Sequence, residues 1–126
     1  TIQYISCVEQ IITMSEQTVL LAEDDEPLAD LYAKYLDSHY NTKVAYNGKA
    51  ALEQLDSSID LLLVDRHMPG YSGDDVLADA REDGWEGPVI FVSGMARDAT
   101  DEMPANDYLK KPVDKEELIA TVDAYL

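Results

Sequence analysis

From Thr18 onward the chain repeats one device: a short run of uninterrupted apolar residues, closed by a polar group, then a segment of helical period. Val19-Leu20-Leu21-Ala22 runs into Glu23 and Asp24, Leu61-Leu62-Leu63-Val64 into Asp65, and Val89-Ile90-Phe91-Val92 into Ser93. A strand with no polar alternate is buried on both faces, which a parallel sheet covered by helices provides. The intervening segments supply the helices. Pro27 suits a first turn, and Leu28, Leu31, Tyr32, Tyr35 and Leu36 form one stripe of a helix ending near Ser38. Asn47 caps a helix with Ala51, Leu52 and Leu55, and Gly73 precedes one with Val76, Leu77 and Ala80. Asp114, with Glu117 three residues on, reads as a capping box for a last helix presenting Leu118, Val122 and Tyr125. Thr42–Tyr46 and Tyr108–Lys110 are the shorter strands. Five strand–helix repeats predict an α/β fold, a doubly wound parallel (βα)5 sheet with active groups at the carboxyl ends of its strands.

Composition narrows the class. A length of 126 residues fits one domain, 46% apolar content excludes disorder, and no run approaches the ~18 apolar residues of a membrane span. With 26 acidic residues against 9 basic ones, the formal charge of −17 repels phosphate backbones and anionic membranes. Direct nucleic-acid binding by this domain is therefore not expected, nor is a membrane association. Such an excess of acid reads either as a surface that aids solubility or, the favoured reading, as adaptation to high salt, where screening removes the self-repulsion. Cys7 stands alone, no Cys/His cluster has zinc spacing, and the start lacks a basic region and cleavage site, so a cytoplasmic chain is expected. Residues 1–17 read as an N-terminal extension of a domain at 18–126.

The polar strand ends carry the chemistry. The fold brings Glu23 and Asp24, Asp65 and Ser93 to one edge, with Lys111 following strand five. Clustered carboxylates need a cation, and hard oxygen ligands suit Mg²⁺ or Mn²⁺. One carboxylate beside such an ion, with a lysine and a hydroxyl nearby, is a nucleophile for phosphoryl transfer. Taken singly, Ser93 is ordinary turn chemistry and Tyr108 ordinary packing. Asp25, Glu26, Asp74 and Asp75 are explained as capping and helix-dipole groups, and Tyr32, Tyr35 and Tyr46 as core or edge packing.

Four stretches in order resemble the receiver domain of two-component response regulators: Val19 to Pro27, Leu61 to Gly73, Val89 to Gly94, and Asp107 to Pro112. The resemblance covers 18–126 and implies a flavodoxin-like sheet of strand order 2-1-3-4-5. It implies Asp65 as phosphoacceptor from a histidine kinase, with Lys111 and Ser93 at the phosphoryl group and Ser93 and Tyr108 as the switch pair. Glu23, Asp24, Asp65 and the backbone carbonyl of His67 become the metal set, with Asp24 the direct ligand and Glu23 acting through water. The His67 imidazole is left on the rim. Lys111 rather than Lys110 is the matching lysine because it precedes Pro112, a bond the family makes cis. A signalling domain rather than an enzyme is implied, acting on a C-terminal output domain or downstream protein, with a homodimer on activation.

The segment from Ser93 to Lys111 is shorter than in common members, and Met103-Pro104 stands before strand five. The fourth helix is expected to be short or partly unwound, which puts the family's usual dimer face in doubt. The shortened segment and the acidic bias resemble haloarchaeal receivers. Two other readings compete. A Mg²⁺-dependent small-molecule phosphatase or phosphotransferase would want a second acid two residues beyond Asp65, where His67 stands. A degenerate receiver used only for protein binding would not keep the full set Glu23, Asp24, Asp65, Ser93 and Lys111.

Overall fold

A computed structural model describes residues 17–94 and 105–126. In chain order the elements are β1 (Thr18–Ala22), α1 (Glu26–Asp37), β2 (Asn41–Ala45), α2 (Gly48–Gln54), β3 (Leu61–Asp65), α3 (Gly73–Glu82), β4 (Val89–Ser93), β5 (Asp107–Lys110) and α4 (Lys115–Asp123). The five strands form one parallel sheet in the order β2-β1-β3-β4-β5. This is the expected doubly wound arrangement. The expectation of a shortened fourth helix falls on residues 95–104, and the N-terminal extension on 1–16, both outside the described residues.

Alternate residues of the inner strands face opposite layers, which explains why β1, β3 and β4 show no polar alternation. Val19, Leu21, Leu61, Leu63, Ile90 and Val92 pack with Ala29, Tyr32 and Leu36 of α1 and Leu118 and Val122 of α4. On the other face Leu20, Ala22, Leu62, Val64, Val89 and Phe91 meet Ala51 of α2 and Val76 and Leu77 of α3. The edge strands β2 and β5 are only partly buried.

Caps set the helix limits. Asp25 accepts from Leu28 N at 3.2 Å and starts α1, Asn47 accepts from Ala50 N at 2.8 Å and starts α2. Asp114 accepts from Glu117 N at 2.8 Å, but the reciprocal capping box forms elsewhere, between Ser72 and Asp75 at the start of α3. Ser38 is the C-cap of α1, as read from the sequence. One expectation for that region needs correcting. Leu31, placed on the apolar stripe, is 41% exposed, and the buried stripe of α1 is Ala29, Tyr32 and Leu36. Tyr46 is exposed at the sheet edge, where its hydroxyl donates to Asp30 at 2.8 Å.

Candidate functional site

The carboxyl ends of β1, β3, β4 and β5 lie along one edge of the sheet and carry the site. Glu23 follows β1 and is held by its N–H donating to Ala45 O at 3.0 Å. Its side chain is 2% exposed, and Oε2 accepts from Asp25 N at 3.2 Å. Asp24 beside it is exposed. Asp65, the last residue of β3, is 5% exposed, and the turn after it sends the His67 N–H to its Oδ1 at 3.1 Å. Carboxylate oxygens of Glu23, Asp24 and Asp65 all lie within 4.8 Å of one another.

Lys111 bridges two of these acids. Its Nζ lies 2.8 Å from Glu23 Oε1 and 3.2 Å from Asp65 Oδ2, and its backbone N–H donates to Ser93 O at 2.8 Å. The Lys111–Pro112 bond is cis. Lys110, by contrast, is exposed and donates its Nζ to the Gly94 carbonyl at 3.3 Å. Ser93 ends β4 and is buried, while Tyr108 is half-buried on β5 with its ring edge-on to Phe91, centroids 5.6 Å apart. The His67 side chain is exposed, a rim position.

Burial pushes the Glu23 carboxyl up to about 7, against the opposing pull of the Lys111 ammonium. Burial lowers the Lys111 ammonium, but its bond to Glu23 and the charge of Asp65 outweigh that and hold it above the ordinary lysine value. One ammonium thus neutralises part of a three-carboxylate cluster. The remaining negative charge and hard oxygen donors fit a divalent cation of the Mg²⁺ type.

Several supports escape the sequence pattern. Gly73 N donates to Arg66 O at 2.9 Å, and a Cβ there would sit 2.7 Å from both Arg66 Cα and Asp65 O. Only glycine lets the start of α3 lie on the backbone of Asp65. Arg66 Nε meets both Asp74 oxygens at 3.2 Å, with its guanidinium carbon 5.2 Å from the Phe91 ring centre. A cation directly after Asp65 and an acid in the first turn of the next helix were the available signals, yet the loop path joining them was not.

Strand order, two buried faces and an acid cluster at the carboxyl edge coincide with a family profile, that of the response regulator receiver domain, over residues 19–123. The chain belongs to this receiver family. The receiver is 43% identical over 115 residues to a Haloferax volcanii protein named as a transcriptional regulator, covering 89% of the chain and 20% of that protein. It is 38% identical over 113 residues to the transcriptional regulatory protein CpxR of Escherichia coli K12, covering 86% of the chain and 48% of CpxR. The chain therefore spans less than half the length of these relatives. Among solved structures, the receiver domain of Francisella response regulator 1452 superposes with a TM-score of 0.77 at 28% identity, covering 86% of this receiver and 95% of that chain. TrrA of Thermotoga maritima, in complex with Mg²⁺ and BeF, gives 0.78 at 25% identity, covering 87% and 99%. The protein is a two-component receiver domain, and a haloarchaeal relative accords with its acidic composition.

Proposed function

We propose that Asp65 takes the phosphoryl group from a histidine kinase and that Ser93 and Tyr108 convert its arrival into a change a partner or output domain reads. What carries this reading is the Asp65 carboxylate, shielded at the end of β3 with Lys111 Nζ 3.2 Å from Oδ2. Asp65 attacks phosphorus through a carboxylate oxygen, forming an acyl phosphate as the bond to the donor imidazole nitrogen breaks. The Lys111 ammonium stabilises charge on the phosphoryl oxygens during transfer. The Lys111 backbone N–H, donating to Ser93 O, couples the lysine to the end of β4.

Asp24, Asp65 and the His67 carbonyl would hold Mg²⁺ (or Mn²⁺) directly, with Glu23 acting through water. The ion, when bound, offsets repulsion between the carboxylate and the incoming anion. The Ser93 hydroxyl then donates to the acyl phosphate, a charge-assisted bond of ~1.5–3 kcal/mol. Ser93 moves inward and the Tyr108 ring follows into the space. That energy shifts a two-state ratio by roughly one to two decades without reaching the ~5.5 kcal/mol of full reversal, so the unphosphorylated chain samples the switched state. The domain works as a switch rather than as an enzyme turning over free substrate.

Incubation with phosphoramidate and Mg²⁺ tests the acceptor. One hydroxylamine-labile phosphoryl group is expected per chain, and none in Asp65→Asn; stoichiometric labelling of that variant would place the acceptor elsewhere.

A further inference from the structure

The switch reading above, on which this inference rests, sends the Tyr108 ring from its seat beside Phe91 toward Ser93. Phe91 and Ser93 are two residues apart on β4 and share one face of the sheet. On β3 the same face carries Val64, paired with Phe91. One pair further along comes Arg66, which extends the ladder by donating its N–H to Val92 O at 2.9 Å and so stands opposite Ser93. The side chain of Arg66 therefore borders the path of the ring.

Its head is already in an aromatic seat. The guanidinium carbon lies 5.2 Å from the Phe91 ring centre, and Phe91 meets Tyr108 with ring planes at 73°. Asp74 anchors the guanidinium at Nε, which lies 3.2 Å from both of its carboxylate oxygens. The pair is partly shielded, the Arg66 side chain being 19% exposed and that of Asp74 35%. A planar, weakly hydrated guanidinium takes aromatic rings on its face in a way a lysine ammonium does not. Moreover, Gly73 N–H binds the Arg66 carbonyl, so the backbone that carries Asp65 also carries this platform and its anchor.

We propose that Arg66, held by Asp74, is the platform that receives the Tyr108 ring in the switched state, a positioning residue for the switch rather than for phosphoryl transfer. In the present conformation the guanidinium rides on Phe91; on switching it gains a second ring. Both residues of the pair sit outside the phosphoryl-binding set, so their loss should separate switching from phosphoryl uptake.

Aromatic NMR of the intact chain, with tyrosine ring carbons labelled and Mg²⁺ and beryllofluoride titrated, reads the two events apart. In the unaltered chain the Tyr108 ring signals should move on titration, together with the His67 amide beside Asp65. Arg66→Met keeps the apolar stem and removes the charged plane. The His67 amide should still respond, while the ratio of inward to outward Tyr108 ring falls about fivefold. Arg66→Lys should recover only part of the ratio, and Asp74→Asn should lose part of it. A full Tyr108 response in Arg66→Met overturns the proposal. Should that variant fail to fold, an undiminished Tyr108 response in the more exposed Asp74→Asn overturns it equally. Silence of Tyr108 in the unaltered chain, with the His67 amide responding, would instead bring down the switch reading itself.

Discussion

Glu23 sits in a buried environment that its exposed acidic neighbours in sequence do not suggest. Its carboxyl is raised to about 7 by burial, so below that pH it holds a proton that the unfolded chain, at about 4.5, has released. The folded state then binds more protons than the unfolded state between these values. Without a divalent ion, stability should accordingly fall as pH rises from 4.5 to 7 and level off above. Metal affinity should run the other way, since a protonated acid is a poor partner for a hard cation. Titration calorimetry with Mg²⁺ from pH 6 to pH 8 should find binding strengthening up to about tenfold per unit below pH 7, and Glu23→Gln should flatten that slope. The two lysines at the end of β5 make a second test. Lys111→Ala should slow phosphoryl uptake by roughly a hundredfold or more, and Lys110→Ala, whose ammonium goes to Gly94 O, should leave it near normal. A radiolabelled time course with phosphoramidate compares them, and equal losses would mean that contact with Asp65 is not what matters. The clustered acids and Lys111 were legible in the sequence because strand ends are where such a sheet assembles chemistry. Arg66 and Asp74 were not, since they stand eight positions apart and the path of the loop between them decides whether they meet.

At the scale of elements, the inner strands were readable and the edges less so. β1, β3 and β4 contain nothing but residues that tolerate burial on both faces, apart from their polar ends. β2 and β5 each begin one residue earlier than their apolar content suggests, at Asn41 and Asp107, because the neighbouring ladder sets their limits. For α1 the apolar spacing placed Leu31 on the stripe, whereas the helix turns the small Ala29 toward the sheet and leaves Leu31 outside. The start of β5 owes its place to Asn106, whose N–H donates to Val89 O at 2.8 Å and whose Oδ1 accepts from Val89 N at 2.9 Å. Tyr125, just past α4, donates its hydroxyl to Asn106 O at 2.8 Å. Removing the amide leaves a buried N–H on β4 without its acceptor. Asn106→Ala should thus cost about 1–3 kcal/mol in urea unfolding, with an unchanged midpoint arguing that the bond is dispensable.

For the whole molecule, charge dominates. A net −17 on 126 residues repels itself at low ionic strength, and added salt screens that repulsion within a Debye length of ~8–10 Å at physiological to 0.1 M concentrations. The melting temperature, followed by circular dichroism from low to molar KCl, should therefore climb steadily; a flat profile would mean that the acids are neutralised by local structure instead. Composition alone made this field visible, because it needs only a sum, while the pairing of Arg66 with Asp74 needed the fold. The sheet, finally, divides the chain into territories with different freedom to change. Everything argued to touch phosphorus or metal hangs from strand ends, and the strands that aim it are locked between two apolar layers. The outer faces of the four described helices contribute to neither. Mutations there can accumulate without altering the chemistry, so a lineage of such domains can acquire new kinases and new listeners by redrawing its outside while inheriting its reaction unchanged.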